Sequence, residues 1–367
     1  MNIALLGFGT VGKGFYDLTV GRSDLSVAAV LSRRPRPELS CTVTADFADI
    51  ERDGSIDTVI EVMGGLEPAY DYICRAMRAG KNVVTANKQL MCAHYDELIA
   101  LAEECGVKLR CTAAAGGGIP WLLNLGRAAE LDRLVAVEGI LNGTTNFMLS
   151  AMTASEVDYA SILREAQQLG YAEADPTADV EGYDARRKLV LSTNLAFGVS
   201  ISEDEVPCFG ISSVTPADIE NFRAAGYTCK LFTRGEKNGE KVSAFVCPTL
   251  FPVTSPEAHT NGMGNLVSLY AERFGKQSFS GAGAGGWPTG SGVLRDCVEI
   301  MNGCSTFYTA KREKCAVDNS AAVYRFYLRV DERAAYTEAM SVEAAFAMAS
   351  EHKAAGREVF LARIHAE

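Results

Sequence analysis

The sequence predicts an α/β fold with a doubly wound parallel sheet, a following α+β domain and a short C-terminal βαβ-like tail. Over the first 112 residues, short apolar segments alternate strictly with helical patterns, which is typical of a parallel sheet covered on both faces. From residue 134 onward the pattern mixes strand-like and helical segments less regularly. A strand with a period of two, an alanine-rich helix and a last apolar strand follow after residue 321.

The elements of the first domain follow from apolar runs and from helix-end signals. Continuously apolar runs predict buried strands, and longer amphipathic segments predict helices. Pro68 opens one helix and Gly80 follows it, which is the usual asymmetry of helix ends. The predicted strands are Asn2–Leu6, Val27–Leu31, Thr58–Val62, Asn82–Thr85 and Val107–Thr112, and the helices are Val11–Thr19, Pro68–Ala79 and His94–Cys105.

The rest of the chain predicts a middle domain, a returning helix and the tail. Uncharged, glycine-rich residues from Gln277 to Leu294 predict an ordered loop. The predicted domains are 1–133, 134–292, 293–320 (returning to the first domain) and 321–367. Their elements are the strands Leu134–Leu141, Lys241–Cys247, Tyr324–Val330 and Val359–Ile364 and the helices Glu156–Leu169, Asp184–Phe197 and Val293–Ile300.

Composition and charge exclude several classes of protein. With 35 Lys+Arg against 46 Asp+Glu in 367 residues, the formal charge is -11, which argues against nucleic acid as a partner. No transmembrane segment is predicted, and residues 1–6 lack the basic start of a signal peptide. The eleven cysteines include no Cys-x-x-Cys pair and are expected to be reduced. We therefore expect a cytoplasmic protein without a membrane anchor.

A glycine-rich turn follows the first predicted strand and opens a helix. This context predicts a dinucleotide-binding turn of the Rossmann type, because the glycines allow a tight turn, close approach of a pyrophosphate and close helix packing. The alternative is an ordinary glycine-rich turn between a strand and a helix. The candidate cofactor-binding residues here are Gly7, Gly9, Thr10, Val11 and Gly12.

The end of the second strand indicates which cofactor is preferred. An NAD site places Asp or Glu about 20 residues beyond the third glycine, on the ribose 2′-hydroxyl. Here the strand ends in Ser32-Arg33-Arg34. Guanidinium groups suit a 2′-phosphate, so we predict a preference for NADP through Arg33, with NAD still possible. A solvated basic loop is the alternative.

Two further segments carry candidate cofactor contacts. Thr85 and Lys88 follow the end of a strand, where a doubly wound sheet opens its ligand crevice, although Lys88 alone could equally be a surface lysine. Gly285 lies in the glycine-rich stretch 281–289, whose backbone can approach a flat ring or an anion. A flexible linker is the alternative for that stretch.

The densest group of charges lies between residues 173 and 188. Five carboxylates fall within twelve residues, and the helix that follows places Asp184 and Lys188 at i and i+4 on one face. Such a pair can hold a lysine ammonium close to a substrate. The alternative is a solvated acidic loop with one helix ion pair worth roughly 0.3–0.5 kcal/mol. The carboxylates are Glu173, Asp175, Asp179, Glu181 and Asp184.

Together these segments resemble homoserine dehydrogenases, in order over roughly residues 1–300. The resemblance implies NAD(P)-dependent interconversion of L-homoserine and L-aspartate 4-semialdehyde, in the branch leading to threonine and methionine, by a homodimer with a Rossmann domain. The motifs are GFGTVG at 7–12, GGLEPA at 64–69, AGKNVVTANK at 79–88, GGGIP at 116–120, GILNGTTNFML at 139–149, LGYAEADPTADVEGYDARRKL at 169–189 and GAGAGGWPTGSGV at 281–293.

The resemblance also implies roles for individual residues. Lys188 matches the proposed proton donor and acceptor, supported by Asp184, and Lys88 matches a second lysine near the nicotinamide and substrate. Ammonium groups beside the reacting oxygen suit hydride transfer, because an alkoxide develops there. The matching substrate-binding residues are Gly143, Thr144, Glu173 and Asp179.

Two departures from the family pattern bear on cation binding and regulation. Many members carry a glutamate where this chain has Thr112, so a monovalent cation bound through the carbonyls of Ala115, Gly117 and Ile119 is expected to be weak. Many bacterial members end in an ACT regulatory domain. Because only 37 residues follow Val330, the segment 321–367 is similar to a shortened ACT-like tail, and we expect weak or absent inhibition by threonine.

Two other functions compete with this interpretation. One is a different NADP-dependent semialdehyde or amino-acid oxidoreductase. An acylating enzyme of that kind would need an activated cysteine, and none of the eleven has motif support. The other is a non-catalytic NADP-responsive regulator, which would have no need to retain Lys188 together with Asp184. Oxidation of L-homoserine without phosphate or CoA separates these functions from a homoserine dehydrogenase.

Overall fold

The computed structural model describes residues 1–155, 157–304 and 313–365. The chain forms two compact units. The first comprises Met1–Leu131 with Ala282–Glu313, and the second comprises Asp132–Gly281 with Lys314–Glu367. In the described part of the chain, no helix has the length and apolar character needed to cross a membrane.

The strands and helices are numbered in chain order. The strands are β1 (Asn2–Leu6), β2 (Ser26–Leu31), β3 (Thr42–Thr44), β4 (Thr58–Glu61), β5 (Asn82–Thr85), β6 (Leu109–Arg110), β7 (Leu134–Ile140), β8 (Val199–Ser200), β9 (Tyr227–Asn238), β10 (Lys241–Pro252), β11 (Gly264–Ala271), β12 (Gly275–Ala282), β13 (Glu313–Lys314), β14 (Val323–Tyr324), β15 (Phe326–Val330), β16 (Arg333–Tyr336), β17 (Met340–Ser341) and β18 (Val359–Ile364). The helices are α1 (Thr10–Thr19), α2 (Phe47–Arg52), α3 (Ala69–Arg78), α4 (Lys88–Ala93), α5 (Tyr95–Cys105), α6 (Trp121–Leu131), α7 (Gly143–Ala154), α8 (Tyr159–Gln168), α9 (Thr177–Val180), α10 (Tyr183–Phe197), α11 (Pro216–Ala224), α12 (Gly286–Met301) and α13 (Val342–Ala354).

The first unit is built on a six-stranded parallel sheet with the order β3-β2-β1-β4-β5-β6. β1 pairs in parallel with both β2 and β4, so the strand order reverses between β1 and β4. In such sheets, ligands bind beyond the carboxyl ends of the strands at the reversal point. The predicted doubly wound, Rossmann-like sheet is confirmed, and the glycine turn at the end of β1 lies at this point.

Helix α12 belongs to the first unit and packs against α1. A Cβ on Gly14, Gly286 or Gly290 would overlap backbone atoms of the other helix, so the close contact requires glycines. Asp296 on α12 is fully buried and accepts hydrogen bonds from Arg110 Nε at 2.9 Å and from the Thr112 backbone N–H at 2.8 Å. These contacts fix the returning helix to the sheet.

The glycine-rich stretch 277–294 differs from its prediction. It is not a loop: β12 continues to Ala282, and α12 starts at Gly286 instead of at Val293. Gly286 and Gly290 serve the packing of α12 on α1 described above, and a Cβ on Gly292 would overlap the Gly117 carbonyl oxygen. The predicted strand Val107–Thr112 is also shorter, because only Leu109–Arg110 pairs in the sheet and residues Thr112–Ala114 form a single 3₁₀ turn.

The second unit contains an eight-stranded mixed sheet with the order β12-β11-β7-β9-β10-β18-β15-β16. β18 pairs in parallel with β10 and antiparallel with β15. On β15, Arg329 forms a buried ion pair with Asp218 of α11 at 2.9 Å. The segment 321–367, predicted as a βαβ-like tail, therefore adds β15, β16 and β18 to the sheet of the second unit, while β14 and β17 pair with each other.

Candidate functional site

The glycine turn after β1 has the backbone geometry that an anion-binding turn needs. Gly7 has a φ of +97°, which residues with a Cβ rarely adopt. A Cβ on Gly12 would overlap the carbonyl oxygen of Gly7, whereas nothing lies within 4 Å of a Cβ placed on Gly9. Thr10 and Val11 begin α1, so the first backbone N–H groups of a helix lie beside this glycine turn. The turn fits the pyrophosphate of a dinucleotide.

Arginines follow β2, as the NADP prediction requires. Arg33 is exposed two residues after the strand ends. Arg36, which was not predicted, donates from Nη2 to the carbonyl oxygen of Phe8 in the glycine turn at 3.2 Å. Its guanidinium also lies 5.2 Å from the centroid of the Phe8 ring. The continuation of the basic run, Arg33-Arg34-Pro35-Arg36, was the available signal for this contact.

The predicted residues at the end of β5 lie beside a buried carboxylate. Thr85 is the last residue of β5, and its hydroxyl is 2.5 Å from Oε2 of Glu61, the last residue of β4. Asn87 is the N-cap of α4, which begins with Lys88. Glu61 was not among the predicted residues, although a carboxylate that ends a buried strand was the signal for it.

The predicted contact at Gly285 lies where α12 approaches the glycine turn. Gly285 has a φ of +112° and is the N-cap of α12. A Cβ on Gly286 would be 2.8 Å from the carbonyl oxygen of Thr10. Trp287, in the first turn of α12, is 67% exposed. The glycine-rich segment therefore reaches the start of α1, which is where a cofactor contact was expected.

The residues predicted for a monovalent cation lie in the segment after β6. Thr112 is buried, and its hydroxyl has no hydrogen-bond partner within the described residues. Arg295 donates from Nη2 to the carbonyl oxygen of Gly118 at 3.0 Å, so a guanidinium group already binds one carbonyl of this segment. No group of three or more His, Cys, Asp or Glu among the described residues is placed to hold a metal ion. The predicted carbonyl donors Ala115, Gly117 and Ile119 lie in this segment.

In the second unit, four polar side chains meet between β7, α9 and α10. Lys188 and Asp184 are both buried, and Lys188 Nζ donates to Asp184 Oδ2 at 2.7 Å and to the Leu141 carbonyl oxygen at 2.7 Å. Asn142, which was not predicted, donates from Nδ2 to Asp179 Oδ1 at 2.6 Å and to Asp184 Oδ2 at 2.9 Å. One asparagine amide therefore joins the two predicted carboxylates beside the predicted lysine.

The other predicted substrate residues differ in exposure and in their contacts with the neighbouring chain. Gly143 and Thr144 begin α7 directly after Asn142, and the Thr144 hydroxyl donates to the Tyr171 carbonyl oxygen at 2.7 Å. A Cβ on Gly143 would meet Met263 at 3.0 Å. Glu173 is exposed in the loop before α9, unlike Asp179 and Asp184. Glu173 and Asp175 are thus exposed carboxylates, whereas Asp179 and Asp184 are joined by Asn142.

The cluster can hold a protonated amine in one place and leave it available for proton transfer. Two of the three ammonium hydrogens of Lys188 are used by Leu141 and Asp184, so one remains for a further acceptor. The i,i+4 pair that the sequence predicts is therefore not a solvated ion pair, because its side chains are only 10% and 9% exposed.

Family models cover most of the chain. One described as "Homoserine dehydrogenase, NAD binding domain" matches residues 7–112, and one described as "Homoserine dehydrogenase" matches residues 120–298. The first match includes the glycine turn and the end of β5. The second includes Asn142, Asp184 and Lys188.

Individual proteins give the same result. A homoserine dehydrogenase of Corynebacterium glutamicum is 44% identical over 320 residues, which cover 81% of this chain and 71% of that protein. The crystal structure of a homoserine dehydrogenase from Thiobacillus denitrificans has a TM-score of 0.90 at 28% identity, covering 100% of this chain and 98% of the other. A hyperthermophilic archaeal homoserine dehydrogenase in complex with NADPH shares the fold, with a TM-score of 0.73 at 22% identity over 83% of this chain and 99% of the other. The chain therefore belongs to the homoserine dehydrogenase family of NAD(P)-dependent oxidoreductases of amino-acid biosynthesis, and it has homoserine dehydrogenase activity.

Proposed function

We propose that Lys188 is the proton donor and acceptor in the interconversion of L-homoserine and L-aspartate 4-semialdehyde, with NADP as the preferred cofactor. The observation that carries this proposal is the buried ammonium of Lys188, held by the Leu141 carbonyl oxygen and the Asp184 carboxylate. The two contacts fix the position of Nζ while one hydrogen stays available. A surface lysine would not be held in this way.

The chemistry of the reaction requires such a group. The bound cofactor supplies the hydride in one direction and accepts it in the other. During reduction, the aldehyde oxygen becomes an alkoxide, whose charge the Lys188 ammonium stabilises while it donates a proton from Nζ. During oxidation of the alcohol, the neutral amine accepts that proton. Asp184 keeps the side chain in place throughout, because its Oδ2 is 2.7 Å from Nζ.

Asp179 and the predicted substrate residues outside the cluster suit an amino-acid substrate. We propose that Asp179 and Glu173 bind the substrate ammonium group, because carboxylates are the strongest partners for it. Gly143 and Thr144 lie in the first turn of α7, where unpaired backbone N–H groups and the helix dipole favour a carboxylate. The two ends of the substrate would then be recognised by groups of opposite charge.

Cofactor choice and assembly are the finer parts of the proposal. The exposed guanidinium of Arg33 after β2 supports binding of a 2′-phosphate, and the archaeal relative of the same fold was solved with NADPH. We propose that Lys88, at the start of α4, lies near the reacting end of the cofactor. The family resemblance also supports a homodimer as the working unit.

The test is NADP-dependent oxidation of L-homoserine, without phosphate or CoA, by the wild type and by Lys188→Ala. We expect the variant to lose at least about 1,000-fold in kcat and to keep its NADPH affinity, because the proton-transfer group alone is removed. Lys230→Met is the matched control. Lys230 is also buried in the second unit, but it contacts Ser150, Thr260 and Asn261 instead of the cluster. Normal turnover by Lys188→Ala would contradict the proposed role.

A further inference from the structure

A buried carboxylate lies at the carboxyl edge of the first sheet and has no part in the function proposed above. Glu61 is the last residue of β4, and its side chain is 0% exposed. Oε1 accepts hydrogen bonds from the backbone N–H groups of Met63 at 2.8 Å and Gly64 at 3.2 Å. Oε2 lies 2.5 Å from the hydroxyl of Thr85. The carboxylate therefore holds the turn after its own strand and reaches across to β5.

The contact with Thr85 continues into the turn after β5. The Thr85 hydroxyl donates to Glu61 Oε2 and accepts from the Asn87 backbone N–H at 2.9 Å. Asn87 donates from Nδ2 to the Gly65 carbonyl oxygen at 2.7 Å, and its Oδ1 accepts from Leu90 in the first turn of α4. Glu61, Thr85 and Asn87 thus join the two turns to each other and to the start of α4.

These turns lie at the part of the sheet where a dinucleotide binds. A Cβ on Gly7, in the glycine turn, would be 3.2 Å from Met63 Cγ, so the turn after β4 lies directly against the pyrophosphate-binding turn. Lys88, the first residue of α4, directly follows Asn87. The glycine turn offers groups for phosphates, whereas the turns after β4 and β5 lie one and two strands further along the sheet.

We propose that Glu61 is a positioning residue of the dehydrogenase: through Thr85 and Asn87 it sets the place of the Lys88 turn relative to the cofactor-binding edge of the sheet. The inference rests on the proposed role of Lys88. Glu61 acts only through other residues, because its carboxylate is fully buried.

A carboxylate, which only accepts hydrogen bonds, suits this role. Met63, Gly64 and Thr85 all donate to Glu61, so its two oxygens satisfy all three donors. Burial raises the pKa of Glu61, and these donated hydrogen bonds oppose that rise. In Glu61→Gln, the amide oxygen can still accept from the β4 turn, while the amide N–H group can only donate to the Thr85 oxygen, and the Thr85 hydroxyl hydrogen then loses its acceptor. This substitution therefore replaces the charge-assisted hydrogen bond between the turns by a weaker one of reversed direction, and it keeps the turn after β4.

The experiment compares Glu61→Gln and Thr85→Val with a matched control at the amino ends of the same two strands, β4 and β5. Lys81 is buried just before β5, and its Nζ donates to the carbonyl oxygens of Asp53 at 2.6 Å and Ile56 at 3.2 Å, which precede β4. Lys81→Met thus removes comparable buried hydrogen bonds between neighbouring strands, at the end of the sheet opposite the cofactor. For each variant we would measure kcat, KM for L-homoserine, the NADPH dissociation constant by fluorescence, and urea unfolding.

We expect Glu61→Gln and Thr85→Val each to lower kcat by about 10- to 100-fold, with less than about a threefold change in NADPH affinity, because the phosphates bind at the glycine turn. The double variant should lose about as much kcat as the more damaging of the two single substitutions, since both act on the same hydrogen bond. Thr85→Ser, which keeps the hydroxyl, should retain kcat within about threefold of wild type. Lys81→Met should be less stable to urea but unchanged in kcat.

Two results would overturn the inference. One is a wild-type kcat for Glu61→Gln or Thr85→Val. The other is a loss of kcat in Lys81→Met as large as theirs, which would mean that kcat follows stability alone. Lys88→Ala separates this failure from that of the underlying proposal. If Lys88→Ala is fully active, the role of Lys88 fails. If it is inactive while Glu61→Gln is normal, only the positioning role of Glu61 fails.

Discussion

Replacing Asn142 by serine should separate the two tasks of this side chain. Its Oδ1 caps α7 by accepting from the Thr145 backbone N–H at 2.8 Å, and its Nδ2 joins the carboxylates of Asp179 and Asp184. Serine is as good an N-cap as asparagine, so Asn142→Ser keeps the cap. It has no amide to donate to the two carboxylates. The variant therefore removes the link between the carboxylates without removing the start of the helix.

The expected magnitude follows from the two hydrogen bonds. Each joins an amide to a carboxylate within 2.9 Å, and such bonds contribute roughly 1.5–3 kcal/mol. Water can enter the space left by the amide and recover part of this energy. A net loss equal to one bond corresponds to a fall of about 10- to 100-fold in kcat/KM. We expect the larger part in kcat, because Asp184 also holds Lys188.

The assay is oxidation of L-homoserine with NADP, together with thermal unfolding of each variant. Asp158→Ala is the matched control, since Asp158 caps α8 by accepting from the Ser161 backbone N–H at 2.8 Å and lies outside the cluster. It should lose about 1 kcal/mol of stability with unchanged kinetics. A kcat/KM for Asn142→Ser within threefold of wild type would refute the reasoning. So would an unfolding temperature reduced as much as that of the control.

Two further predictions concern the cofactor and a buried lysine. Arg33→Ala should weaken NADPH binding by at least about tenfold at moderate salt, because a charge-assisted contact to the 2′-phosphate is lost. The affinity for NADH should change little. Equal changes in affinity for both cofactors would contradict the role of Arg33. Burial lowers the pKa of Lys230 to about 8, below its usual 10.5. Between these two pH values the unfolded chain therefore binds more protons than the folded chain. The folded state then gains stability as the pH rises from 8 to 10.5. Urea unfolding at pH 7, 8.5 and 10 should show that the free energy of unfolding of the wild type rises by up to about 3 kcal/mol relative to that of Lys230→Met. Parallel pH dependence of the two proteins would show that burial does not shift the pKa of Lys230.

The parts of the site that the sequence predicts are those made by neighbouring residues. The glycine turn carries its own conformational requirement at Gly7 and Gly12, and the pair of Asp184 and Lys188 follows from helical spacing. Asn142 was not predicted, because it is 42 positions from Asp184 and they meet only when β7 and α10 pack together. Glu61 and Thr85 similarly meet only through the pairing of β4 and β5.

The wrong prediction for the glycine-rich stretch has a similar cause. Glycine, lack of charge and a proline indicate a loop when no partner surface is known. In the structure, Gly286 and Gly290 lie against α1, where even one methyl group would overlap the backbone. A glycine that permits close helix packing and a glycine that permits a turn have the same composition signal. Only the position of α1 distinguishes them.

The charges around Asn142 give the cluster a preference among substrates. Asn142 joins the carboxylates of Asp179 and Asp184, and Lys188 Nζ donates to Asp184 Oδ2 at 2.7 Å. The asparagine amide lets both carboxylates lie within 2.9 Å of one group without neutralising either. We infer that Asp179 contributes to binding of the substrate ammonium, because a carboxylate forms charge-assisted hydrogen bonds with that group. An alcohol of the same size without the ammonium would lose this contact, and it should bind more weakly than L-homoserine.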